Sequence, residues 1–161
     1  MDDEKETTMT GVLVIEKTKD LPELNCHYSN IIVAIDSPDV RLSLLGKIEE
    51  EKSFWIDTLV SLNAYVSSSA QIMPGCIIEP MTVIQSMSII SKGCIISAGA
   101  VVNHASMCCD GVHVDCNATV AGTTLVTVGM KIKSVEVYNR KTVDANDFFF
   151  NSEEWVKRMK K

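Results

Sequence analysis

The chain lacks what several common kinds of protein need. Its 161 residues hold no apolar stretch long enough to cross a bilayer, and the opening "MDDEKETTMT" is polar and acidic, unlike a secretory signal. Basic residues are not in excess: 15 Lys and Arg stand against 21 Asp and Glu, a formal net charge of −6. That balance argues against nucleic acid or an anionic membrane as partner, and no membrane insertion is expected. The six cysteines, at 26, 76, 94, 108, 109 and 116, form no CxxC pair. They lie in otherwise apolar runs and read as small, reduced core residues of a cytoplasmic protein. Histidine is scarcer still: His27, His104 and His113 are all there are. The length fits one domain, or one domain with a small appendage.

A repeat of six residues is what the chain does have. Every sixth residue from Val60 to Ile132 is branched and aliphatic, except Cys108. Four residues after each comes a small one in nearly every repeat: Ala64, Ala70, Cys76, Ala100, Ser106 and Ala118 are examples. The residue just before that is rich in Gly and Asn: Asn63, Gly75, Gly93, Gly99, Gly111, Asn117 and Gly129. These types tolerate positive φ, so a bend recurs every six residues. Neither a helix of period 3.6 nor a plain alternating strand gives this pattern. A short strand that turns every six residues does. Three such strands close a triangular coil of 18 residues, and coils stack by parallel pairing about 4.8 Å apart. The stacking puts Cys76 against Cys94 and Gly122 one coil above His104. Between residues 59 and 134 there are only six charged residues, and Tyr65 is the sole aromatic. A narrow prism interior would exclude rings, and flat faces low in charge suit packing against identical copies, so a homotrimer is expected.

The flanks follow other rules. "NIIVAI" (30–35) reads as a buried strand and "GVLVI" (11–15) as a second. "DLPEL" (20–24) reads as a short helical turn. "SPDVRLSLLGKIEEE" (37–51) opens with Ser37 as cap and Pro38 at the first helical position, and Val40, Leu44, Leu45 and Ile48 recur at helical spacing. At the far end Phe148, Phe149 and Phe150 precede a short basic helix and read as a cover for the open end of the solenoid. The division is a small, incomplete α/β subdomain over 1–57, a β-helix over 58–137, and a capping tail with a helix over 138–161.

"VVNHASMCCDGVHVDCNATVAG" (101–122) carries two of the three histidines. His104 is the third residue of its hexad and should face outward. His113 is the last of its own hexad, close to a corner. Half a coil apart, they lie on different faces of one chain and converge only if a second subunit brings its copy. This stretch, running into "TLVTVGMKI", resembles the hexapeptide-repeat, left-handed β-helix acetyltransferases that modify sugar nucleotides or sialic acids in bacterial surface-glycan pathways. "NIIVAI…SPDVR" looks like the late part of that family's N-terminal sugar-nucleotide domain. The resemblance covers most of residues 11–134 and supplies the left hand of the coil.

The resemblance implies an acetyl-CoA-dependent acetyltransferase acting on an amino sugar, a sugar nucleotide or a sialic acid, without metal. His104 matches the family's general base, whose imidazole titrates near working pH. Gly122 matches the Gly whose N–H meets the acetyl carbonyl. His113, Ala121 and Gly122 would line the acetyl-CoA site, and Ser97 and Asn103 the acceptor site. The family usually has Glu or Asp after the base, where Ala105 stands; Asn seven residues before it, where Ser97 stands; and Gly after "VAI", where Asp36 stands. A non-catalytic trimeric β-helix scaffold is the alternative. A β-helix carbonic anhydrase needs three histidines per zinc, which the spacing of His27, His104 and His113 does not supply.

Overall fold

The structure is a computed structural model and describes residues 21–140. The strand expected at 11–15, the phenylalanine run and the C-terminal helix lie outside the described residues.

Fourteen two-residue strands follow one another at six-residue spacing, from β3 (Leu59–Val60) to β16 (Val137–Tyr138). They form three parallel sheets of five, four and five strands, wound as a left-handed β-helix. Pairing is strictly 18 residues apart: β10 (Val101–Val102) lies between β7 (Val83–Ile84) and β13 (Thr119–Val120), with Val102 opposite Ile84 and Val120. The expected inward column is the core from Ile78 to Ile132, with Val66 and Ile72 partly buried against it; Val60, on the open first coil, is exposed instead. Ile84, Ile90, Ile96, Val102, Cys108, Val114, Val120 and Val126 are all fully buried, joined by the small column of Cys76, Cys94, Ala100, Val112 and Ala118. Burying one such aliphatic side chain is worth roughly 1.5–3 kcal/mol. Cys76 and Cys94 do stack, and Cys76 Sγ donates to Ser91 O at 3.0 Å. Burial drives the Cys94 and Cys108 thiols upward in pKa and that of Cys109 to about 11, so none is poised as a nucleophile at neutral pH. Cys26 and Cys116 differ from the expectation in being exposed.

The bend column also holds. Positive φ recurs at Gly75, Gly93, Gly99, Gly111 and Gly129, and equally at Met81, Met87, Ala105, Asn117, Thr123 and Val135. Stacking on neighbouring coils therefore imposes the left-handed conformation even on residues that disfavour it, at a cost of about 1–2 kcal/mol each.

One corner of the prism is glycine in every coil, at 75, 93, 111 and 129, and helix α2 (Pro38–Glu51) packs along it. A Cβ at Gly93 would lie 2.6 Å from Leu45 Cδ1, and one at Gly111 would lie 2.7 Å from Leu42 Cδ1. The glycines are thus needed for close approach as well as for φ. Ser37 is the N-cap and Pro38 begins the helix, as expected, though the Ser37 side chain makes no capping bond. The buried stripe is Arg41, Leu45 and Ile48; Val40, assigned to it from spacing, is 52% exposed. The stripe is turned because Arg41 points inward. Its guanidinium donates to Gly93 O at 2.6 Å, Gly111 O at 2.7 Å, Asp36 O at 3.0 Å and Ile35 O. Two stacked coils and the approach to the helix are joined by one planar fork.

"NIIVAI" is a strand only at β1 (Asn30–Ile31), paired in parallel with β2 (Trp55–Ile56). Val33 is buried, but residues 32–35 find no ladder partner among the described residues and continue without regular secondary structure to Ile35 and Asp36, whose carbonyls accept from Arg41. The turn expected at 20–24 is α1 (Leu21–Leu24).

Candidate functional site

His104 sits in the turn between β10 and β11 (Met107–Cys108), outward and exposed as expected. Its ring lies over Gly122, one coil on. A Cβ there would come within 2.8 Å of His104 Cε1 and 3.0 Å of Nε2. The backbone fixes the register, with Thr123 N donating to His104 O at 3.0 Å and Ala121 N to Tyr138 O at 2.9 Å. Gly122 N–H makes no hydrogen bond among the described residues, nor does the His104 ring. The exposed imidazole therefore lies against a half-buried glycine whose N–H has no hydrogen-bond partner among the described residues.

Residues around this pair are held rigidly. Ser106 Oγ donates to Ala121 O at 2.7 Å, and Asn103 Nδ2 donates to Val120 O at 3.0 Å. Asn103 and Ala121 are half-buried on the same corner as His104. Ala105 is buried with φ 52°, and its methyl offers nothing to the distal nitrogen of the ring.

His113 lies elsewhere. Spacing put it near a corner; it is the first residue of β12 (His113–Val114), on a different sheet from β10, and only 6% exposed. Ser97, also buried, places Oγ 3.0 Å from His113 Nε2. Asp36 Oδ1 is 2.9 Å from His113 Nδ1 and 3.0 Å from Lys131 Nζ. The Nδ1–Oδ1 approach is off the line of the ring N–H, so it is a close charge contact more than an aligned hydrogen bond. Lys131 stands directly beyond His113 in the sheet. The Lys131 hydrogen bond holds the Asp36 carboxyl below its ordinary value of 3.8, and burial followed by Lys131 holds the His113 imidazole below 6.5.

The expected residues therefore fall into two groups. His104, Gly122, Ala121 and Asn103 share one corner. Ser97 and His113 share a buried chain that ends on Asp36. One chain does not bring the two together. Spacing missed Arg41 and Asp36; the all-glycine corner every 18 residues was the one available sign that something packs there. Among the described residues no group of three or more His, Cys, Asp or Glu is arranged to hold a metal. A cavity of about 670 Å³ lined by Tyr28, Lys52, Ser53 and Trp55, among others, belongs to the N-terminal part and includes none of these residues. No described helix is long and apolar enough to cross a membrane.

No protein-family model and no curated protein matches the sequence. Solved structures do. The acetyltransferase domain of PglB from Neisseria gonorrhoeae, in complex with acetyl coenzyme A, is 25% identical over 88% of this chain and 68% of its own, with a TM-score of 0.82. The same domain without that ligand matches at 25% identity and a TM-score of 0.78, over 88% of this chain and 69% of its own. A mutant perosamine N-acetyltransferase from Caulobacter crescentus, in complex with CoA and GDP-perosamine, is 24% identical over 79% of this chain and 72% of its own, with a TM-score of 0.53, and speaks to the fold alone. The expected resemblance to hexapeptide-repeat acetyltransferases is borne out at the level of structure.

Proposed function

We propose that this chain is an acetyl-CoA-dependent acetyltransferase whose acceptor is an amino sugar, a sugar nucleotide or a sialic acid of bacterial surface-glycan biosynthesis. The observation that carries the reading is the His104 ring resting on Gly122 beside an unengaged Gly122 N–H. Similarity to an acetyltransferase domain bound to acetyl coenzyme A supports it.

The chemistry is direct transfer. The acceptor nitrogen or oxygen attacks the thioester carbonyl while His104 takes its proton. Gly122 N–H donates to the oxyanion that forms, at a donor already in place. The C–S bond then breaks, and the imidazolium returns the proton to the leaving thiolate of CoA. No cysteine is needed as nucleophile. Ala121 gives a smooth wall beside the reacting carbon, and Asn103 flanks the acceptor. Ser97, expected at the acceptor site, belongs instead to the acyl-donor wall with His113, because its Oγ lies 3.0 Å from His113 Nε2. Since one chain keeps this wall apart from His104, the complete site forms between adjacent prisms of a homotrimer, in the cytoplasm where acetyl-CoA is made. Light scattering that finds only monomer at micromolar concentration removes this arrangement.

The functional test pairs calorimetry with turnover. Acetyl-CoA should bind the wild-type chain, and thiol release should depend on an amino-sugar acceptor. His104→Ala should keep acetyl-CoA affinity and lose turnover by about 10²–10⁴-fold. Equal turnover in the variant sinks the base assignment. The absence of a carboxylate at Ala105 favours a second reading, a non-catalytic trimeric scaffold; a chain that binds no acetyl-CoA would fit that reading instead.

A further inference from the structure

The chain Asp36–His113–Ser97 has the order of an orienting relay, although it spans 77 residues and two subdomains. His113 has a ring nitrogen on each side: Nδ1 lies 2.9 Å from Asp36 Oδ1, and Nε2 lies 3.0 Å from Ser97 Oγ. Asp36 comes from the segment ahead of the β-helix. Its backbone carbonyl accepts from Arg41, which is itself anchored on Gly93 O and Gly111 O. Its carboxylate is gripped by Lys131 Nζ at 3.0 and 3.1 Å. The carboxylate is therefore delivered to one side of His113 by contacts that do not involve His113.

We propose that Asp36 is a positioning residue: it holds His113 as the Nδ1–H tautomer, so that Nε2 accepts a hydrogen bond from the Ser97 hydroxyl in the acyl-donor wall. Although the approach is off the ring N–H line, an unprotonated Nδ1, the negative end of the ring dipole, would stand 2.9 Å from a carboxylate oxygen, which is repulsive. Placing the single proton of a neutral ring on Nδ1 removes the repulsion and leaves the Nε2 lone pair toward Ser97. A neutral ring is consistent with its surroundings: His113 is buried, and Lys131 and Arg41 oppose a further positive charge, while Asp36 and Asp115 favour it. Which ring nitrogen carries the proton is set by the partner of the other. Ser97 and His113 are almost fully covered, so the relay shapes a wall and does not supply a nucleophile.

The inference rests on the functional reading for its kinetic consequence, but not for the tautomer. Histidine-specific ¹⁵N labelling of the full chain gives three ring systems, assigned by His27→Gln and His104→Gln. At pH 7.5, His113 should show a protonated Nδ1 and an unprotonated, hydrogen-bonded Nε2. Asp36→Ala should convert it to the Nε2–H form, and Asp36→Glu should restore the wild-type pattern. In turnover assays Asp36→Ala should raise the KM for acetyl-CoA about tenfold with kcat within about twofold, as expected for loss of one charged contact, and Asp36→Glu should recover most of it. An Nε2–H tautomer in the wild-type chain, or an unchanged tautomer in Asp36→Ala, overturns the proposal. So does a switched tautomer with unchanged KM. If the wild-type chain binds no acetyl-CoA, the functional reading fails, and the spectra alone decide whether Asp36 sets the ring.

Discussion

The ring of His104 rests on the bare Cα of Gly122, the residue one coil further along the prism, with no room between them for a methyl group. Glycine at this corner does not have the positive φ seen at the bend column, so its role is space and not backbone freedom.

Gly122→Ala should therefore fold and fail. Its new Cβ would fall 2.8 Å from His104 Cε1, and the ring, being at the surface, can swing away. Displacing a base by an ångström is enough to cost about 10²-fold in turnover. The melting temperature should change little, because the ring makes no hydrogen bond among the described residues. A variant with wild-type turnover would show that His104 works from another rotamer.

Arg41 makes a prediction about stability. Arg41→Ala would strand buried carbonyls on Gly93 and Gly111 and leave a void under helix α2, a loss of at least about 3 kcal/mol. Arg41→Lys should recover less than half, since an ammonium cannot bridge two stacked coils and the loop at once. Thermal melts and limited proteolysis at residues 21–57 read the effect. An Arg41→Ala melt that overlays the wild type would mean the helix is held by Leu42 and Leu45 alone.

Some of this was legible beforehand, and the division has a physical reason. The inward column from Val66 to Ile132 is legible because a prism interior accepts only branched or small side chains, so composition and geometry coincide; Val60 fits the pattern but lies exposed on the open first coil. The bend column was read through Gly and Asn, and so missed Met81, Met87, Thr123 and Val135. There tertiary stacking overrides local preference. Spacing puts Val40 inward and is silent on Arg41 because it weighs apolarity alone, whereas four backbone carbonyls have a use for a cation. His113 was placed near a corner by counting hexads, yet it is the outward residue of a strand, and what covers it arrives from Asp36. A contact across so many residues leaves no local mark.

Stability should fall on mild acidification. The folded imidazole of His113 titrates below its ordinary 6.5, chiefly through burial and Lys131, so the unfolded chain binds that proton first. For a base depressed in the folded state, the full contribution is present above 6.5 and is lost as pH falls below it toward the folded value. Asp36, depressed below 3.8 by Lys131, acts in the same direction but only at lower pH, and its exposure screens the effect. Melting temperature should thus decline from pH 7.5 to 5.5, and His113→Gln should flatten that slope. A slope of opposite sign, or one that the substitution leaves unaltered, contradicts the assignment.

Ala105 bears on the rate. A carboxylate on the distal nitrogen of a basic histidine fixes its tautomer and stabilises the imidazolium formed during transfer; a methyl does neither. Among the described residues no other group bonds the His104 ring. Ala105→Glu should therefore raise turnover by about three- to tenfold at neutral pH, the worth of one charged hydrogen bond only partly aligned. The cost is local. At φ 52° Ala105 already occupies the left-handed region, which Met81 and Met87 also occupy with longer side chains, but those two are exposed whereas Ala105 is buried, so the glutamate must turn out toward the His104 ring. The melting temperature should accordingly drop by several degrees. A folded variant with unchanged or lower turnover would mean that a residue of a neighbouring subunit already orients His104, or that His104 is not the base. Repeating the substitution in His104→Ala separates these outcomes: if His104 is the base, the gain from Glu disappears with the ring it was meant to orient.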